Sequence, residues 1–597
     1  MIYSQIASIL GLILKAKEGQ MKTLLNRLIT QALQVVCGLI DELQLELRRP
    51  PQSNLGDFAL NCGPMAKAVG RPATNIALQI AQALDNQSPI ATATATGPFV
   101  NLKLEPNALF GAAVQTANAR QAAGPKSDRI MVEYVSPNTN KPLHLGHLRN
   151  ATLGSSLANI LEAAGHKVVR ACLVNDRGVH ICKSMLAWQM FANDATPEST
   201  GQKGDHFVGD WYVRYAKEVE NDPALEQQTT NMLLQWEQGD PEIMALWTMM
   251  NEWVYTGFAQ TYARFGYRFD RTYFESELYQ LGKDLVQRGL DTGVFQINKD
   301  GHTVFPLDPK QFGMSRENDL KFATVLRPDG TSVYMTQDIG TAVRKVEDYG
   351  LDRSLYVVGN EQNHHFQVLF AMLKALGFEW ADNCYHLSYA MVNLPDGKMK
   401  SREGTTVDAD NLLDNMTDLA TEAIRTRHRD QALTEEEVAK RAKIIALSAI
   451  KFYLLRFGAQ TTITFDSKKS LAFEGDTGPY CLYAFARAQS IISRATQQGL
   501  QTASTYDQLG SPEERALALD LVEIPEVIQR AALSYDPMVV ANHTLKIARD
   551  FSTFYQRCVV VSDNQSLSTQ RLALVQAAAN GLEWTLSMLG INVLNAM

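Results

Sequence analysis

His144 and His147 stand three residues apart in H-L-G-H, with Lys141 just before them and the run S-P-N-T-N-K-P leading in. Their chemistry is that of anion recognition. Backbone N–H groups at a helix start are unpaired and carry partial positive charge, Gly146 lets a ligand approach the backbone, and two imidazoles and an ammonium add donors. A phosphate group fits such a place. An H-x-x-H pair taken alone is more often a hydrogen-bonded surface pair, so the elements that position it decide.

Those elements are legible. Ile130 to Tyr134 has the β-branched and aromatic bias of a buried strand, and Pro137 ends it because proline has no N–H for a ladder. From Leu145 a helical spacing follows through Leu148, Leu153, Leu157, Ile160 and Leu161, closing at Gly165; a second strand runs from Val168 to Val174. Strand, helix, strand is the βαβ unit of a parallel sheet, whose ligand site lies at the carboxyl ends of the strands. HLGH preceded by SPNTNKP resembles the first signature of class I aminoacyl-tRNA synthetases, and the form S-P-N-x-x-K-P-x-H-x-G-H is similar to arginyl-tRNA synthetases in particular.

The totals set bounds. A chain of 597 residues is too long for one core and implies roughly three to five domains. Lys plus Arg is 56 against 64 Asp plus Glu, a formal charge of −8, which neither supports nor excludes RNA, since an RNA binder needs a local basic face rather than a basic sum. The seven cysteines show no C-x-x-C or zinc-ligand spacing and imply a reducing, cytoplasmic setting. No apolar run reaches the roughly 18 to 20 residues that span a bilayer. Residues 1–20 lack a basic n-region and a cleavage site, so we read them as an extension ahead of Met21.

Residues 21–125 form an α+β unit: a helix to about Leu47, a helical run from Thr74 to Leu84, and the strand-like GPFVNLKL. The unit resembles the amino-terminal additional domain of arginyl-tRNA synthetases on Gly56, Asp57, Phe58 and on Phe99, Asn101, Leu102. That resemblance implies contact with the D-loop of a tRNA through Phe99 and Asn101, although Phe58 and Phe99 also suit a core. Residues 126–407 are the expected catalytic domain, interrupted at about 190–325 by an insertion with helical spacing throughout, whose Met and aromatic stripe suits helix packing. At the second strand-to-helix turn the family's usual G-D-W-G is N-D-R-G here. Asp176 and Gly178 carry over, while Arg177 either adds charge near a phosphate or points outward. His180 and Cys182 lack further converging ligands, so no metal site is expected.

A strand ending at Tyr334 and a helix carrying Asp338 one turn on place a phenol and a carboxylate toward one pocket, the chemistry a guanidinium needs. Y-x-T-x-D-I resembles the family's arginine pocket. The resemblance further implies that Gln362 holds the substrate's α-amino group and that Glu133 and Asn138 supply the remaining contacts. The basic loop K-M-K-S-R resembles the second class I signature. Lys398 and Met399 match; the second lysine falls on Ser401, with Lys400 and Arg402 on either side. The implied ATP set is His144, Gly146, His147, Lys398 and Met399, and the implied catalytic cations and donors are His144, His147, Lys141, Lys398 and Lys400. Residues 408–597 are helical in pattern. EGDTGPYCLYAFARAQSIISRA is similar to the start of the family's anticodon-binding domain, which implies tRNA contact at Tyr480 and Arg487, with Tyr483 and Phe485 as further candidates for stacking or for bundle core.

The expected fold class is therefore α/β: a Rossmann-like parallel-sheet nucleotide-binding domain with a helical insertion, an N-terminal α+β additional domain and a C-terminal all-α helical bundle. The resemblance implies a ligase that activates L-arginine with ATP to arginyl-adenylate and passes it to the 3′-terminal adenosine of tRNA(Arg). It further implies ATP with Mg²⁺ as the substrate complex, no tightly bound metal or organic cofactor, no membrane, and a cytoplasmic monomer. Two rivals share parts of the pattern. A small-molecule nucleotidyltransferase would not need the helical region after the second signature, and a non-catalytic RNA-binding relative would be expected to lose HLGH or Lys398.

Overall fold

The computed structural model describes residues 21–38, 45–122, 127–307, 322–395, 407–427 and 433–597. The extension at 1–20, most of the linker at 124–127 and the K-M-K-S-R loop lie outside the described residues.

Helix α1 (Met21–Cys37) buries Leu25, Leu28, Ile29, Ala32 and Leu33, the stripe of an amphipathic helix. It stops ten residues short of the expected end. Gly38 adopts φ +65, the left-handed cap that a side chain resists, and Leu47 falls instead in a two-residue strand, β1 (Leu47–Arg48). After it come β2 (Phe58–Asn61), α2 (Gly63–Val69), α3 (Ala73–Leu84), β3 (Ile90–Thr96), β4 (Phe99–Leu104) and α4 (Pro106–Ala119). The strands form an antiparallel sheet in the order β1-β2-β4-β3, with Phe58 wholly in its core. Asp57, buried beside it, accepts from the Leu104 N–H at 2.7 Å and from Nε of Arg515 at 3.0 Å, so part of the G-D-F element docks this domain on the C-terminal helices.

The catalytic region opens with β5 (Arg129–Glu133), α5 (Leu145–Ala163) and β6 (Lys167–Val174), the βαβ unit read from the sequence. Then follow α6 (Val179–Phe191), α7 (Gly204–Asn221), α8 (Ala224–Glu237), α9 (Pro241–Phe265), β7 (Arg271–Phe274), α10 (Glu275–Asp291), β8 (Gln296–Ile297), β9 (Thr303–Pro306) and β10 (Phe322–Leu326). The expectation of helix throughout 190–325 is corrected here. β7 is the edge strand of the main sheet, and β8, β9 and β10 make a separate antiparallel sheet in the order β10-β9-β8. Strands of two to five residues are too short to print a period on the sequence. The Met and aromatic stripe does pack, with Met232, Trp236, Leu246 and Met250 all buried.

Helix α11 (Tyr334–Tyr349) follows, then β11 (Arg353–Gly359), α12 (Asn363–Ala375), β12 (Cys384–Tyr389) and β13 (Val392–Asn393). The strand expected to end at Tyr334 ends at Leu326, and Tyr334 opens the helix. All five strands of the main sheet are parallel, in the order β12-β11-β5-β6-β7. β5 is central, so its carboxyl end is the middle of the ligand edge. The remainder is helical: α13 (Ala409–Arg427), α14 (Glu435–Leu455), α15 (Gly478–Gln497), α16 (Pro512–Ser534), α17 (Met538–Arg557) and α18 (Gln565–Met588), broken by β14 (Ile463–Thr464), which pairs with β13. Among the described residues no helix is long and apolar enough to cross a membrane.

Candidate active site

The turn leaving β5 is tightly drawn. Val135 and Ser136 take φ +80 and +41, a region costly for a β-branched residue, and Asn138 bridges to Asn175 beyond β6. Asn150 of α5 holds this turn in place: its Oδ1 accepts from the Val135 N–H at 2.6 Å and its Nδ2 donates to the Val357 carbonyl at 2.7 Å. The hydroxyl of Ser136 is buried with no protein partner, which suits a substrate contact.

His144 is the N-cap of α5. Its Nδ1 accepts from the Gly146 N–H at 3.1 Å, while its own N–H donates to Nδ1 of His147 at 3.1 Å, a reciprocal capping box built from two imidazoles. The rings lie 3.9 Å apart. A Cβ at Gly146 would meet the His144 ring at 2.9 Å, so glycine is required there for the ring as well as for a ligand. With each Nδ1 engaged as an acceptor, the ring proton sits on Nε2 of each histidine, and the His144 ring lines a cavity. Burial, with the Lys141 ammonium beside it and against the pull of Asp408, lowers His144 to about 4; burial, then His144 and Lys141, hold His147 well below its ordinary value.

Both rings are thus neutral donors near neutral pH. Because the folded pKa of His144 lies below the ordinary 6.5, an unfolded chain takes up the proton first. Its contribution to stability is full above about 6.5 and lost as the pH falls toward 4. The rate profile between about pH 6 and 8 is accordingly expected to carry no ionisation from this pair. A step near 6.5 that vanishes in His144→Asn would contradict it.

Asn138, Asn140, Lys141, His144, His206 and Asp408 line a cavity of about 410 Å³. A second cavity of about 410 Å³ adjoins it through His180 and is lined by Arg177, Glu275, Ser332, Tyr334 and Gln337. Glu275 carries a carboxyl pushed well above its ordinary range by burial, then by the negative charges of Asp338 and Asp176, with Arg177 opposing and Glu133 adding to the rise. Four carboxylates therefore gather around Glu275, which alone of the four lines this cavity. Glu133 is buried and ion-paired with Lys345, Asp338 meets Nε2 of His365 at 2.5 Å, and Asp176 accepts from the Ser276 and Tyr255 hydroxyls at 2.7 and 3.0 Å. Tyr334 is exposed at the cavity mouth, and Gln362 is exposed in the turn after β11. Arg177 does not point outward. It is buried between the rings of Trp236 and Tyr279, 5.1 and 4.4 Å from their centres, and pairs with Glu237 at 2.5 Å.

Sequence reasoning missed Lys345, His365, Glu275 and Ser136. Only Lys345 left a signal: it lies seven residues after Asp338, on the same face of α11. One group among the described residues has the spacing of a metal site, His206, Asp408 and Asp410. Asp410 is already held by Lys203, Thr261 and Arg264, each at 2.8 Å, which makes the group an ion-pair network.

The remaining candidates lie elsewhere. Phe99 is exposed, whereas Asn101 is buried at the side of a groove and donates to the Thr96 hydroxyl at 3.1 Å. Tyr480 is half-buried and bonded to Ser552 at 3.2 Å, and Phe485 is core. Arg487 lies between the rings of Tyr483 and Tyr555, 4.6 Å from each, on an open surface. Lys398, Met399 and Lys400 fall outside the described residues.

Comparison with known proteins follows this layout. The family model for tRNA synthetases class I (R), catalytic domain, matches residues 110–466; the arginyl tRNA synthetase N terminal domain matches 23–104 and the DALR anticodon binding domain 481–597. The chain is 44% identical over 492 residues to the arginine–tRNA ligase of Bacteroides thetaiotaomicron, covering 79% of this chain and 81% of that one. It is 40% identical over 577 residues to that of Treponema denticola, covering 94% and 96%. Among solved structures it resembles Thermus thermophilus arginyl-tRNA synthetase with a TM-score of 0.78 and 25% identity, over 97% of this chain and all of that one.

Proposed function

Because the chain belongs to the arginyl-tRNA synthetases, we propose that the cavity at HLGH takes ATP and the acidic cavity beside it takes arginine. The activity is ATP-dependent ligation of arginine to tRNA. The observation that carries the site assignment is the convergence of Glu133, Asp176, Glu275 and Asp338 next to a pair of neutral imidazole donors. Such an excess of buried acid calls for a cation, and a planar guanidinium can engage two carboxylates at once.

In this reading the arginine carboxylate attacks the α-phosphorus of ATP and pyrophosphate leaves. A 2′ or 3′ hydroxyl of the terminal adenosine then takes the arginyl group and AMP departs; class I membership favours the 2′ hydroxyl. The Nε2–H groups of His144 and His147, together with Lys141, donate to phosphate oxygens as charge shifts across them, and Gly146 keeps the helix start open. Lys398, Lys400 and Met399 of the second signature serve the same phosphates. Asp338 receives the guanidinium through the oxygen that His365 leaves, Glu275 and Tyr334 flank it, and Gln362, Asn138 and Glu133 hold the α-amino and carboxylate end. Lys345 holds Glu133 in place through their buried ion pair. No protein nucleophile is involved, and catalysis is positioning plus electrostatics.

ATP enters as its Mg²⁺ complex, with no residue assigned to the ion. We place the division of the chain at about 125 and 407, and take tRNA(Arg) as the RNA partner, met by Phe99 and Asn101 at one end and by Tyr480 and Arg487 at the other. The seven cysteines are unpaired, which supports a cytoplasmic setting, and we take the chain to act as a monomer. Charging total tRNA with each amino acid in turn tests the assignment. Arginine alone is expected to be joined, and charging with any other would overturn it.

A further inference from the structure

Two residues beyond His147, Arg149 is wholly buried on α5 and has no carboxylate partner among the described residues. Its guanidinium donates to backbone carbonyls: Leu454 at 3.0 Å from Nη1, and Gly458, Ala459 and Thr461 at 3.2, 3.0 and 3.2 Å from Nη2. Those carbonyls belong to the last turn of α14 and the loop after it, where a helix leaves its final C=O groups unpaired and carries partial negative charge. Burying a charge with neutral partners alone is costly, and burial pulls this guanidinium down to about 10.

The segment it grips holds a second element as well. The Ala459 carbonyl also accepts from the Ala390 N–H at 2.9 Å, Gln460 donates to the Ser388 carbonyl at 2.7 Å, and β14 pairs with β13. The start of α5 and the chain leaving β12 are thereby held in one frame. We infer that Arg149 is a positioning residue, fixing the start of α5 against residues 454–461 so that the Nε2–H donors of His144 and His147 meet the reacting phosphates. It touches no ligand. The inference rests on the phosphate-donor reading of HLGH given above.

The test uses the full chain with Arg149→Lys and Arg149→Met. Lysine keeps the charge without the fork, and methionine keeps the bulk of the side chain but leaves the carbonyls without that donor, so melting points are needed to separate lost stability from lost positioning. Each variant's melting point, its kcat and KM for arginine in tRNA charging, and a double-mutant cycle with His147→Asn are measured. Whichever variant folds is expected to lose about tenfold or more in kcat, with the arginine KM within about twofold. Lysine is expected to retain more activity than methionine. His147→Asn should then cost markedly less in the Arg149 variant than in the parent, because a misplaced donor has less to lose. An unchanged kcat, or losses that simply multiply, would overturn the inference. A His147→Asn variant that alone keeps full activity would instead bring down the donor reading, and this inference with it.

Discussion

Asparagine at position 338 is expected to raise the KM for arginine about 100-fold or more while leaving that for ATP within about twofold, because truncating one partner of a desolvated charge pair costs on the order of 3 to 5 kcal/mol. The substitution keeps the size of the side chain and an oxygen for His365, which meets Asp338 at 2.5 Å, so the helix start at Tyr334 is left in place. What it removes is the negative charge. Steady-state charging with arginine and ATP varied separately reads the two constants, and equal rises in both would argue against a guanidinium pocket here.

The second large effect belongs to His147. Removing one preorganised donor to a developing oxyanion typically costs about 100- to 1,000-fold in kcat. Position 147 also caps the helix through Nδ1, which His144 N–H reaches at 3.1 Å, so alanine would mix a structural loss with a chemical one. Asparagine and glutamine separate them. Asparagine can keep an acceptor where Nδ1 was and loses the outward N–H; glutamine reaches with a donor toward the Nε2 position and gives up the cap. We expect kcat to fall by about two to three orders of magnitude with asparagine and by distinctly less with glutamine, while stability falls more with glutamine. Equal kcat in the two would mean that the Nε2 proton is not the working group.

The βαβ unit, the capped helix at HLGH and the helical C-terminal region were legible because each prints a local period or a local breaker on the sequence. Asn138, Lys141 and His144 could be placed together for that reason. Their partners could not. Glu133 and Lys345 are 212 residues apart, and no periodicity links positions that meet only after the sheet is assembled. The four residues of β7 are too few to alternate visibly beside the 25-residue helix that precedes them. Arg177 stands where the family's usual motif has tryptophan, and the cage that receives it, Trp236, Tyr279 and Glu237, comes from helices read only as packing. The G-D-F element shows the same limit from the other side. Its resemblance suggested RNA, yet Phe58 is core and Asp57 is a clasp to Arg515.

That clasp bears on the order in which the molecule is made. Asp57 and Arg515 lie 458 residues apart, so the N-terminal domain leaves the ribosome long before its partner is synthesised. Until then it carries a carboxylate that the finished protein buries, satisfied among the described residues of its own domain by the Leu104 N–H. The first domain to be translated is among the last to be locked: Arg515 of α16 closes the clasp, and α18, made later still, adds the Asn580–Asn118 bond and the Arg120–Glu583 pair.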